Sequence, residues 1–204
     1  RIVEAGEGEV TVLTVGPDAA ADALKKALQM GADKGVHVVD DAIAGSDAVA
    51  TSLVLAEAIE SAAVTYVEGY LWDPPRAKTA IRDTAKIAHA HGNEVAMSLS
   101  DPFCVDRYRD EFLELMRSGT VDIVFANEDE AKSLYQTADL ETAREALAED
   151  CKIAIVTRSE KGSMIINGGG AHTQIDADPV DRLVDTTGAG DLYAAGFLYG
   201  YTSG

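Results

Sequence analysis

The chain has 204 residues, nearly half of them hydrophobic, which bounds it to one large domain or two small ones around a sizeable core. Its 35 acidic and 17 basic residues give a formal charge of −18, which argues against a nucleic-acid partner and against anionic membrane surfaces. No apolar run is long enough to span a bilayer and no basic-then-apolar leader opens the chain, so a cytoplasmic protein is expected.

The chain begins at Arg1 rather than at a methionine, from which a trimmed N-terminus is expected. Cys104 and Cys151 stand far apart, outside any C-x-x-C pair, and read as small hydrophobes in a reduced compartment. His89 and His91 are two apart on a predicted helix, so they diverge, and with His37 and His172 they form no metal cluster.

Residues 10–15 are an apolar, β-branched run closed by Gly16-Pro17, which predicts a strand. A helix follows over 18–30, stopped by Gly31, then a second strand over 35–39. Ser46 is a candidate N-cap for a helix reaching about residue 62. A third strand starts at Thr65, and Pro74-Pro75 opens a helix that Gly92 closes. Strands are predicted at 94–99, 121–126 and 152–157, and helices at 109–117, 128–135 and 140–148. Residues 162–167 and 171–175 read as a hairpin around three glycines, and a last helix starts near Gly188. This alternation predicts one α/β domain over 1–204, a three-layer α/β/α sandwich. Its sheet is mainly parallel and Rossmann-like, with the antiparallel hairpin at one edge.

The segment D-T-T-G-A-G-D at 185–191 carries the chemistry. Two glycines at a helix start let the backbone approach an anion, and the helix dipole adds partial positive charge there. A carboxylate beside such a cradle is repelled by the anion, so Asp191 calls for a reason. It can take a proton from an attacking hydroxyl, or it can merely complement the dipole.

This heptad and the following L-Y-A-A-G-F resemble the C-terminal signature of the ribokinase/PfkB family of sugar and nucleoside kinases. Y-V-E-G-Y-L-W-D-P-P at 66–75, L-S-D-P-F-C-V at 99–105 and V-D-I-V-F-A-N-E-D-E at 121–130 are similar to its adenosine-kinase-like branch. The resemblance covers about residues 64–204. It implies Asp191 as catalytic base, with Gly188, Ala189 and Gly190 as the anion hole for the transferred phosphate. Asn127 and Glu130 match the family's N-x-x-E element, which implies ATP with Mg²⁺, Glu130 acting on the ion indirectly. Thr157, Arg158 and Gly162, in T-R-S-E-K-G, match the loop near the nucleotide, and Asp185 and Thr187 complete the cofactor-side turn. Each has a plainer alternative: Asn127 can cap a helix, Glu130 can complete a capping box, and Asp101 can start a turn or lie near the site. A P-loop is absent, and the spacing after Gly190 fails the dinucleotide fingerprint.

The first part of the chain resembles a different family. G-E-V-T-V-L-T-V-G-P at 8–17, K-A-L-Q-M-G-A-D-K-G-V-H-V-V-D-D at 26–41 and G-S-D-A-V-A-T-S-L-V-L at 45–55 are similar to the beta subunit of electron-transfer flavoproteins. Gly16 stands at a strand end where a nucleotide could approach or a plain turn could form, and no flavin is inferred. The expected organisation is a flavoprotein-beta-like βαβα segment over 1–62 joined to a kinase-like catalytic half over 63–204. The family's N-terminal acceptor-reading half, its lid and its last helices are not matched. Two functions follow as expectations. One is an ATP-dependent phosphotransferase, weak or inactive, acting on a sugar or nucleoside. The other is an engineered chimera with no catalysis and at most weak phosphate or nucleotide binding.

Overall fold

The computed structural model describes residues 11–15, 17–29, 32–39, 56, 58–180 and 185–203. The chain divides into two compact units, Arg1–Leu55 and Ala56–Gly204. The first part of the expected helix after Ser46 lies outside the described residues, as does Gly16, while residues 58–61 near its expected end are helical.

In the first unit, β1 (Thr11–Val15) and β2 (Lys34–Val38) pair in parallel, with Thr11 opposite Lys34 and Val15 opposite Val38. Their crossover holds a 3₁₀ turn, Asp18–Ala20, and helix α1 (Ala21–Gln29). Ala21, Leu24 and Ala27 recur every third residue and form its half-buried face. A Cβ on Gly35 would sit 2.9 Å from the Leu24 side chain, so the glycine in β2 is what lets α1 lie this close.

The second unit is built on a six-stranded sheet in the order β3-β4-β5-β6-β7-β8. Strands β3 (Val64–Glu68), β4 (Glu94–Ser98), β5 (Ile123–Asn127) and β6 (Ile153–Thr157) are parallel. β7 (Ser163–Asn167) and β8 (His172–Ile175) add antiparallel pairings at one edge, as the hairpin reading expects. The helices are α2 (Pro75–Ala90), α3 (Pro102–Arg117), α4 (Glu128–Leu134), α5 (Leu140–Asp150) and α6 (Ala189–Ser203).

Alternation along the central strands assigns the two faces. Ala96, Ile123, Phe125 and Ile155 point to one side and meet Ala194 of α6. Their neighbours Val95, Met97, Val124, Ala154 and Val156 are equally buried and point to the other side, which helices also cover. This is a three-layer α/β arrangement with a mixed sheet. Each fully buried large side chain contributes about 1.5–3 kcal/mol. By that measure α6 is lightly held, because Ala194 is its one buried residue, whereas α3 buries Phe112, Leu115 and Met116.

α3 is longer than its sequence pattern suggests. Asp101 caps it through a bond from the Cys104 amide (2.8 Å), and Pro102 takes the first helical position, where its missing N–H costs nothing. The backbone then departs from helical geometry at Tyr108, whose hydroxyl donates to Asp73 (2.5 Å) while Arg107 donates to the same oxygen (2.7 Å). The break leaves the apolar periodicity clean only from Arg109 onward. Cys104 and Cys151 are free and buried, and burial pushes their thiols up to about 11 and about 12.

Candidate active site

The C-terminal ends of β3, β4, β5 and β6 open onto a cavity of about 410 Å³ whose far wall is the start of α6. Strand ends of this kind are where open α/β sheets bind ligands. Asp191, Gly188, Ala189, Gly190, Asn127, Glu130 and Thr157 all line it.

Three hydrogen bonds hold the turn into α6. The Thr187 amide donates to Asp185 Oδ1 (2.9 Å), which keeps the Asp185 carboxyl below its ordinary range. The Ala189 amide donates to Thr186 O (3.0 Å) and that of Leu192 to Gly188 O (2.9 Å). Gly188 has φ +72°, a conformation that favours glycine. A Cβ on Gly190, by contrast, would meet nothing within 4 Å. Its side therefore faces open space. Helix geometry gives the Gly190 and Asp191 amides no acceptor within the helix, so the turn offers N–H donors and the positive end of the dipole. Gly188, Ala189, Gly190 and Asp191 are all exposed.

Across the cavity, Asn127 and Glu130 form a complete capping box at the start of α4. Asn127 Oδ1 accepts from the Glu130 amide (2.8 Å), and Glu130 Oε2 accepts from the Asn127 amide (2.9 Å). Asn127 Nδ2 donates to Glu130 Oε1 (2.7 Å). Glu130 is 5% exposed; burial raises its carboxyl above the ordinary glutamate value, opposed by the Asn127 backbone bond. The cap is thus present, and the same carboxylate also borders the cavity.

Asn127 and Thr157 are register partners on β5 and β6. They border a second, smaller cavity of about 290 Å³ together with Arg158 and Lys161. Arg158 Nε lies 3.4 Å from Glu128 Oε2, so its charge is partly answered already. Gly162 borders neither cavity. It closes the turn after β6 at φ +81°, where a Cβ would lie 1.9 Å from Ile175 O. Asp185 and Thr187 brace the turn rather than line the cavity. Asp101 serves as the α3 cap.

The cavity also has residues that sequence reasoning missed: Glu68, Tyr70, Ser98, Ser100 and Tyr193. Ser100 has φ +72°, rare for a serine, and its hydroxyl donates to Glu68 Oε2 (3.3 Å) while accepting from the Tyr70 amide (3.1 Å). The available signal was the polar residue that ends each apolar strand, Glu68 on β3 and Ser98 on β4. Among the described residues, no group of three or more His, Cys, Asp or Glu side chains could hold a metal ion.

The model of the pfkB family carbohydrate kinases matches residues 36–204. The chain belongs to that family. An electron transfer flavoprotein domain model matches residues 1–67. A crystal structure of adenosine kinase from Sinorhizobium meliloti is similar at 45% identity and a TM-score of 0.81, over 97% of this chain and 67% of that one. Cytidine kinase from Thermococcus kodakarensis is 35% identical over 105 residues, 48% of this chain and 37% of its own length. The electron transfer flavoprotein subunit beta of Mycobacterium tuberculosis is 57% identical over 53 residues, 26% of this chain and 20% of that protein. The chain therefore spans about a fifth of that flavoprotein subunit and over a third of the cytidine kinase. Both resemblances read from the sequence hold, and so does the ribokinase-like α/β fold.

Proposed function

We propose that this chain transfers the terminal phosphoryl group of ATP to a hydroxyl of a sugar or nucleoside. The observation that carries the reading is the convergence on one cavity of Asp191, the Gly188–Gly190 turn and the Asn127–Glu130 pair. Bound ATP would supply the electrophilic phosphorus. Asp191 would accept the proton of the attacking hydroxyl as the new O–P bond forms and the P–O bond to the departing ADP breaks. The Gly190 and Asp191 amides and the α6 dipole stabilise charge on the transferring group. Thr157 and Arg158 face the nucleotide side, where Gly162 shapes the loop and Asp185 and Thr187 hold the turn. Since no protein-only cage exists among the described residues, Mg²⁺ would be held through phosphates and water, with Glu130 acting indirectly.

Turnover is slow in this reading. Asp191 and the glycine turn are exposed, and an acceptor that is not enclosed forfeits much of the advantage of proximity. A second reading rests on the two family matches, 1–67 and 36–204, which meet in one chain. In it the protein is an engineered chimera that folds, binds phosphate or nucleotide at most weakly and turns nothing over. Either protein would be cytoplasmic, without nucleic-acid or membrane partners. Among the described residues, no helix is long and apolar enough to cross a membrane.

Thermal shift with ATP, with and without Mg²⁺, followed by ADP release with adenosine, cytidine and ribose, separates them. Acceptor-dependent ADP release supports the kinase. Saturable binding without release supports the chimera, and absence of both signals removes the kinase and the nucleotide-binding claims and leaves a chimera that only folds.

A further inference from the structure

Tyr193, on the wall of the cavity, shares with the buried Ser163 a hydroxyl pair to which the family signature assigns no role. Ser163 Oγ and Tyr193 Oη lie 2.6 Å apart. Ser163 opens β7, is 1% exposed, and pairs with Thr157 at the end of β6. Tyr193 is half-buried and stands two residues after Asp191, within the first turns of α6. The bond therefore ties the start of the helix that carries Asp191 to the strand end that carries Thr157.

The serine end of this tie is fixed. Gly162 precedes it at φ +81°, with Ile175 O 1.9 Å from where a Cβ would stand, and the Arg158 amide donates to Gly162 O (2.8 Å). Among the described residues, the apolar anchors of α6 begin at the Tyr193 ring and continue at Ala194 and Phe197, whose ring meets Phe125 edge-on at 5.5 Å. Apolar contacts tolerate sliding, whereas a short hydroxyl–hydroxyl bond is directional.

We infer that the Ser163–Tyr193 hydroxyl pair seats the first turn of α6, so that these two are positioning residues for Asp191 and the glycine turn. The catalytic consequence rests on the phosphotransferase reading; the seating of the helix does not. Tyr193→Phe keeps the ring and removes the bond, leaving the Ser163 hydroxyl stranded away from water. Ser163→Ala with Tyr193→Phe removes both hydroxyls and strands neither. A pair that served only stability would be fully compensated in the double variant.

The test compares wild type, Tyr193→Phe, Ser163→Ala and the double variant by hydrogen–deuterium exchange, urea unfolding and steady-state kinetics. In all three variants, amides 188–193 are expected to exchange about tenfold faster, with β5 and β6 unchanged. The double variant regains the wild-type unfolding midpoint but keeps the fast exchange. Its kcat with ATP and acceptor stays about tenfold down while the KM for ATP holds within about twofold. Wild-type exchange at 188–193 in Tyr193→Phe, or recovery of exchange or kcat in the double variant, overturns the inference. Absence of wild-type turnover removes the phosphotransferase reading, and the exchange comparison still decides the role of the pair.

Discussion

Gly190 separates a fold requirement from a functional one. Its Cβ position is empty, so Gly190→Ala should leave stability within about 1 kcal/mol of wild type, as a helix-start substitution. The added methyl would occupy the space proposed for phosphate, so phosphoryl transfer should fall by at least about tenfold, read from ADP release beside an unfolding curve. Equal loss of both would make the glycine structural. Asn127 behaves oppositely: Asn127→Ala removes the cap on the Glu130 amide and strands Glu130 Oε1, at an expected cost of about 1–3 kcal/mol by urea unfolding. The heptad 185–191 was legible because its residue types answer to chemistry rather than to packing. Glu68, Ser100 and Tyr193 were not, because one polar residue at a strand end or an extra hydroxyl on a helix is ordinary until the fold brings it to the cavity.

Individual elements show where sequence patterns inform and where they fail. The four central strands and the β7–β8 hairpin follow directly from apolar runs and the glycine triplet. The first half of α3 did not, since Asp101-Pro102 reads equally as a turn or as a cap followed by proline at the first helical position, and the irregularity at Tyr108 broke the period. Contacts between elements were also invisible. Glu111 on α3 accepts from Trp72 Nε1 (2.8 Å) and from Lys78 of α2 (2.7 Å). Lys78, chiefly, holds the Glu111 carboxyl below the ordinary glutamate value, against the opposing effect of burial. A lowered value means that this contribution is present above the unfolded glutamate value and is lost as pH falls through the folded one. Fluorescence of Trp72, the sole tryptophan in the sequence, should therefore show an acid step below about pH 4.3 that Glu111→Ala lacks. That variant should cost about 1 kcal/mol, at the low end for a stranded donor, because the Glu111 side chain is 39% exposed.

Across the whole molecule, the formal charge of −18 works against an anionic nucleotide, and the local amides and helix dipole at 188–191, with Arg158 and Lys161 at the adjoining cavity, oppose it. Salt screens the long-range repulsion more than the close contacts, with a Debye length shrinking from about 30 Å at 0.01 M to about 8 Å at 0.15 M. ATP affinity should therefore rise over that range when measured by calorimetry. A fall would point to a surface cation cluster as the dominant contact. The two family matches were readable from the sequence because each keeps its own local motifs. The division into units at residues 55 and 56 lies near the join expected at residues 62 and 63, where one set of motifs gives way to the other. Asp191 is the proposed base, and the most direct measurement is acceptor-dependent ADP release by wild type and Asp191→Asn at equal folded concentration. The expected result is a loss of at least about 100-fold in kcat with ATP binding retained. Asp191→Asn turning over at the wild-type rate would contradict it.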